Sequence, residues 1–274
     1  AMKSVEIIYR YGASSIAARP RPETSAEALS RLNDGNRAFA ELLRGEDVAR
    51  KIIPVDAADL GLADDGADTP RQRPFAAVVG RADARVPVEL IFGEGPNDLF
   101  VTRIAGNGLG AEVLGSLKYA ADHLDSLRLV VVLGHSGCGA LTAAVDTFLR
   151  PAAYLPLATQ HALRGIIDRQ LIVVQASARQ LERAFGADVT RRPGYRAALI
   201  ETSVAANAAL SAYTLDQELA RIDLTRLRAV HGVYRLDARE VWSVRADGAE
   251  APGLSPSPDG AAAFLAFGEA LTRA

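Results

Sequence analysis

Val130-Val131-Val132-Leu133-Gly134-His135-Ser136-Gly137-Cys138-Gly139-Ala140 runs from unbroken apolar chain into a small polar turn and then into a helix start. Two earlier segments have the same form. Ala76-Ala77-Val78-Val79-Gly80 leads into Arg81-Ala82-Asp83-Ala84-Arg85-Val86-Pro87, and residues 99–105 lead into Gly106-Asn107-Gly108. The apolar runs at 75–79, 99–105 and 127–133 are continuous rather than alternating, as in strands covered on both faces. Val113, Leu114, Leu117, Ala121 and Leu124 form one side of a helix between the second and third runs. Strand, helix, strand predicts a right-handed crossover and a parallel pair.

Outward from this centre the elements are simpler. Thr24-Ser25-Ala26-Glu27 is a capping box, and Leu29, Leu32, Phe39 and Leu43 continue at helical spacing. The pair Gly35-Asn36 is unusual inside a helix. Residues 45–73 are rich in Asp, Gly and Pro and read as a loop. Residues 150–194 read as helical without clear divisions, and 195–219 as one Ala-rich helix. Residues 227–236 form a fourth strand, and 241–244 an antiparallel edge strand. The expected fold is α/β: a mostly parallel sheet of about four strands plus that edge strand, with helices on both faces. Residues 1–23 are expected to be an irregular arm, 24–244 the domain, and 245–274 a tail with a short helix.

Composition narrows the function. Apolar residues make up 49% and charged residues 23%, the mix of a globular protein. The net charge of -2 offers no case for nucleic acid or an anionic membrane. One cysteine permits no intrachain disulfide, and no apolar run approaches a bilayer span. No secretory leader is recognised at the start, so the cytoplasm is the expected compartment.

In such a sheet, ligands bind beyond the carboxyl ends of the strands. Arg81, Asp83 and Arg85 follow the first strand, Gly106 and Asn107 the second, His135 and Cys138 the third. Gly106-Asn107-Gly108-Leu109-Gly110-Ala111 also fits a dinucleotide-binding turn. The next strand lacks the acidic residue that would hold a ribose, so these glycines read as close packing. His123 reads as surface, His231 as a buried packing histidine, and His161 has no partner pattern. Trp242, Tyr234 and Phe100 read as packing.

The two half-motifs, Arg81-Ala82-Asp83-Ala84-Arg85 and His135-Ser136-Gly137-Cys138, resemble the Cys-x-Asp-x-Arg and His-x-x-Cys of β-class carbonic anhydrases. The resemblance extends over about 24–244. It includes Asn33-Asp34-Gly35-Asn36-Arg37-Ala38-Phe39, the run from Gly95 to Asn107, Gly115-Ser116-Leu117-Lys118-Tyr119-Ala120 and Val230-His231-Gly232-Val233-Tyr234. It implies a zinc held by two cysteines and a histidine, with a bound water acidified for attack on CO2. It also implies a homodimer or higher homo-oligomer. His135 and Cys138 map onto two ligand positions. Asp83 maps onto the acceptor for the zinc-bound hydroxide, and Arg85 onto the arginine that restrains it.

The third ligand position is Arg81, in a divergent arrangement that also has Ala84 in place of a usual serine. Guanidinium has no lone pair for zinc and carries a fixed positive charge. The expectation is therefore a chain with no cofactor and no efficient CO2 hydration. Its alternative is a zinc enzyme using Asp83, His135 and Cys138. Without zinc, Arg81 neutralises a Cys138 thiolate favoured by its helix-start position, while Arg85 pairs with Asp83. Three uses of the pocket follow. A small anion or carboxylate binds Arg81 and backbone amides around Gly106 and Asn107. Alternatively, Cys138 acts as a nucleophile with His135 as base, or Asp83 works as an acid–base group. The plain alternative is a decayed site whose residues fill space.

Overall fold

The computed structural model describes residues 4–12, 19–44, 49–61, 69–221, 227–245 and 250–272. The chain begins with β1 (Val5–Gly12), α1 (Ser25–Arg44) and β2 (Ala49–Asp56). The apolar centre follows as β3 (Ala76–Gly80), α2 (Val88–Phe92), β4 (Leu99–Arg103), α3 (Ala111–His123) and β5 (Leu129–His135). Then come α4 (Gly139–Leu149), α5 (Leu155–Ala158), α6 (His161–Phe185) and α7 (Tyr195–Arg221). The chain closes with β6 (Arg228–Arg235), β7 (Glu240–Val244), β8 (Glu250–Pro252), β9 (Ser255–Pro256) and α8 (Gly260–Leu271).

The main sheet runs β4-β3-β5-β6-β7-β8, with β9 beside β6. Strand β3 is parallel to β4 and β5, and β5 to β6. Val78 faces Val101 on one side and Val131 on the other. Strand β7 turns back antiparallel, pairing Val241 with Tyr234. The sheet is thus mostly parallel and covered by helices, as the unbroken apolar runs require. Val131 packs into a cluster with Leu32, Phe39, Ile91 and Phe92 of α1 and α2. Val130 and Val132 pack on the opposite face with Val113 and Leu117 of α3 and Ala212 of α7. β4 is different. It is the sheet edge, with Leu99 to Thr102 partly buried and Arg103 exposed.

The Gly35-Asn36 pair has a packing reason. A Cβ on Gly35 would lie 1.8 Å from the Phe92 carbonyl oxygen, so glycine lets α1 cross close to α2. Buried Asn36 then bonds three backbone groups: its amide donates to Ile91 and Arg239 carbonyls, and its oxygen accepts the Val241 N–H at 2.7 Å. Half of the capping box forms at the start of α1: the Glu27 N–H donates to Thr24 Oγ1 at 3.1 Å, while the Glu27 carboxylate accepts the Glu23 N–H at 2.8 Å.

Two expectations need correction. The arm and the loop at 45–73 contribute β1 and β2, a separate parallel pair with Ile8 opposite Ile52. Val5, Ile7, Ile8, Tyr9 and Tyr11 favour a strand, as do Ile52, Ile53 and Val55. The surrounding Asp, Gly and Pro obscured that pattern. Pro54 fits because β2 pairs with β1 alone, leaving its other edge unladdered. Parts of both segments, 1–3, 13–18, 45–48 and 62–68, lie outside the described residues. The terminal segment is also less separate than expected: β8 and β9 extend the main sheet, and Phe267 of α8 is buried in the core.

Candidate functional site

Three strand ends meet, as their order in the sheet requires. Strand β3 ends at Gly80, and Arg81 is the next residue. Strand β5 ends at His135 and, after a two-residue turn, Cys138 caps the start of α4. Arg81 is only 2% exposed and donates from Nη1 to Cys138 Sγ. Its Nε and Nη2 are buried and have no hydrogen-bond partner among the described residues. Burial pulls the Arg81 pKa down, and the nearby Cys138, Asp83 and Glu201 oppose that shift.

Asp83 is gripped by Arg85. Its Oδ1 accepts from the Arg85 backbone N–H and Nε at 2.9 and 3.0 Å, and its Oδ2 accepts from Nη2 at 2.7 Å. These bonds hold its carboxyl well below the usual carboxylate range. His135 Nε2 lies 3.3 Å from the same Oδ2, while Nδ1 lies 2.9 Å from the Ser136 carbonyl. Both ring nitrogens face acceptors, yet burial holds the imidazole below its ordinary pKa. No hydrogen bond joins His135 to Cys138 among the described residues, so the cysteine–histidine nucleophile pair is not formed in this arrangement.

Gly106 and Asn107, at the end of β4, brace the strand ends. The Gly106 carbonyl accepts from Gln170 Nε2 and Asn207 Nδ2, both at 3.0 Å. Asn107 Nδ2 bridges the carbonyls of Val79 and Leu133, at the ends of β3 and β5.

Sequence reading missed several supporting residues. Arg103 clamps the Arg81–Val86 loop, donating to the carbonyls of Arg81 (3.1 Å), Asp83 and Val86 (3.3 Å). Gln170 and Asn207 are buried polar side chains on apolar helix faces, a pattern that could have marked them. Glu201 on α7 accepts the Gly137 N–H at 2.9 Å. Its place gave no cue, being an ordinary surface position on a long helix.

A family model described as "Carbonic anhydrase" matches residues 76–234, the segment that supplies the strand ends. Carbonic anhydrase 2 of Mycobacterium tuberculosis is 49% identical over 74 residues, 27% of this chain and 35% of that protein. Carbonic anhydrase of Mycolicibacterium smegmatis is 47% identical over 78 residues, covering 28% and 37%. The chain thus spans about a third of the length of the curated relatives it matches. Among solved structures, the Coccomyxa β-carbonic anhydrase in complex with acetazolamide overlaps with a TM-score of 0.49 and 18% identity, covering 84% of this chain and 89% of that one.

The expectation that the chain takes no cofactor is corrected by this match, because the matched family consists of zinc enzymes. Whether the residues present fit zinc is a separate question. The Arg81 guanidinium lies against Cys138 Sγ, and Arg85 occupies both oxygens of Asp83. Among the described residues, no three of His, Cys, Asp and Glu converge as a ligand set. The side chains as arranged do not fit the metal.

Proposed function

The chain belongs to the β-carbonic anhydrase family, and from that premise we propose that its pocket binds a small anion or carboxylate on Arg81 and does not hydrate CO2 efficiently. The carrying observation is the buried Arg81 guanidinium, bonded through Nη1 to Cys138 and without a hydrogen-bond partner at Nε and Nη2 among the described residues. Those two nitrogens are the parallel donors of the side-on fork, the geometry that matches two oxygens of one carboxylate or bicarbonate. Leaving buried charged donors without acceptors is costly, so a bound oxyanion would stabilise them. Opening is required for entry, because both atoms are closed off by their surroundings.

A second reading draws on the 3.3 Å approach of Asp83 to His135. With Cys138, these residues offer oxygen, nitrogen and sulfur donors for an altered zinc site in an active carbonic anhydrase. It requires Asp83 to leave Arg85 and Arg81 to leave Cys138. Supporting residues remain the same in both readings: Arg103 sets the loop, and Asn107 fixes the spacing between β3 and β5.

The test uses protein purified without chelator. Calorimetric titration with acetate should show binding that disappears in Arg81→Gln. About one zinc per chain by mass spectrometry, together with CO2 hydration lost in Asp83→Ala, would overturn the proposal in favour of the second reading. From the family resemblance we propose a homodimer or higher homo-oligomer, and from the single cysteine a cytoplasmic location. Among the described residues, no helix is long and apolar enough to cross a membrane.

A further inference from the structure

We propose that Glu201 is a positioning residue of the pocket, which holds the His135–Cys138 turn through Gly137 and sets the field at Arg81. The field half of this proposal rests on the anion reading above; the turn half does not.

The turn is anchored at three points. The Ser136 N–H donates to the Tyr234 carbonyl at 3.0 Å, and Ser136 Oγ accepts from the Leu236 N–H at 3.0 Å. Both anchors come from β6 and the residue after it. The third, Gly137 N–H to Glu201 Oε1 at 2.9 Å, comes from the helix layer and is the only one carrying charge. It also falls where the turn is most demanding. Gly137 has φ of 62°, the left-handed region that glycine enters without a Cβ penalty. Cys138, the next residue, is the sulfur that meets Arg81.

Charge gives Glu201 a second role. Glu201 Oε1 holds Gly137, the neighbour of the Cys138 whose Sγ meets Arg81 Nη1, and Cys138, Asp83 and Glu201 all favour the Arg81 cation. Asp83 is already neutralised by its own bidentate arginine. Glu201 has no salt-bridge partner among the described residues, and only its Oε1 is engaged. An anion approaching the free side of Arg81 therefore meets opposition from Glu201. Hydrogen bond and charge can be separated, because glutamine keeps an acceptor oxygen and loses the charge.

Amide exchange at Gly137 and calorimetric titration with acetate distinguish the roles. In Glu201→Ala, Gly137 exchange should accelerate roughly tenfold or more, the scale of one lost charge-assisted bond. In Glu201→Gln, exchange should stay near wild type, while acetate binds several-fold tighter at low salt and the gain shrinks at high salt. A residue that only props up the turn would leave acetate affinity unmoved in the glutamine variant, which overturns the field role. Unchanged Gly137 exchange in Glu201→Ala overturns the turn role. If wild-type protein binds no acetate, the anion reading and the field role fall together. The exchange result alone then decides the turn role.

Discussion

At the scale of single residues, one substitution governs the pocket. Arg81 places a cation against Cys138 Sγ at a position where the family resemblance puts a thiolate. Arg81→Cys removes the cation and restores the third donor. Zinc affinity measured by chelator competition should then rise sharply over wild type, and an unchanged affinity would mean that the remaining pocket has diverged as well. His231 gives a separate prediction. It is 1% exposed and packs edge-on against Phe267, and burial holds its imidazole at about 4. The folded pKa lies below the unfolded value near 6.5, so the unfolded chain binds the extra proton between those limits. Stability is therefore lost as pH falls from about 6.5 to about 4, by up to roughly 3 kcal/mol. Urea denaturation at pH 7.5 and pH 5 should show that loss, and His231→Leu should flatten it. The strand ends, His135, Cys138, Asp83 and the packing role of His231 were legible in the sequence, since each depends on local type and spacing. Glu201 and Arg103 were not: their partners are backbone groups 64 and up to 22 residues away, and backbone leaves no mark in composition.

Elements carry the next level of constraint. Helix α1 can approach α2 only because residue 35 has no side chain. Gly35→Ala drives a Cβ into the Phe92 carbonyl, and neither helix backbone can yield cheaply. The expected loss is about 3 kcal/mol, the upper end of ordinary overpacking, read as a lower urea midpoint with the fold retained. The sequence marked this pair as anomalous without revealing its cause, because the cause is the distance between two helices. The same limit hid β1 and β2. Their apolar residues are few and interrupted by Pro54 and flanking turn formers, so the pairing becomes visible only when the two segments lie side by side.

Across the whole molecule, buried charge ties α1 and the segment before it to the loop between α2 and β4. Glu94 is fully buried and receives Arg31 through Nε at 3.0 Å and Nη2 at 2.5 Å, with Arg19 adding a bond at 2.9 Å. Arg21 and Arg73 meet on Asp59 beside them. Glu94→Gln strips the charge from the centre of this network and leaves two arginines partly uncompensated. A loss of about 3 kcal/mol is expected in chemical denaturation, far more than an exposed pair would show. The outer side of the β1–β2 sheet leaves the paired Ile8 and Ile52 more than a third exposed. A two-stranded sheet is marginal alone, and a partner copy covering it would stabilise it. Light scattering on the eluted protein should then report a dimer or larger species, and Ile8→Lys with Ile52→Lys should lower the mass.

The bond between Gly137 and Glu201 spans 64 positions, and Arg81 reaches Cys138 across 57. The pocket is thus complete only after β3, β5 and α7 have all docked, and such long-range closures come late in folding. Cys138 is the sole thiol of the chain and stays hidden while that layer is shut. Its labelling rate, set against the rate of global unfolding, would show whether α7 lifts from the sheet on its own, making the site a clock for the last step of assembly.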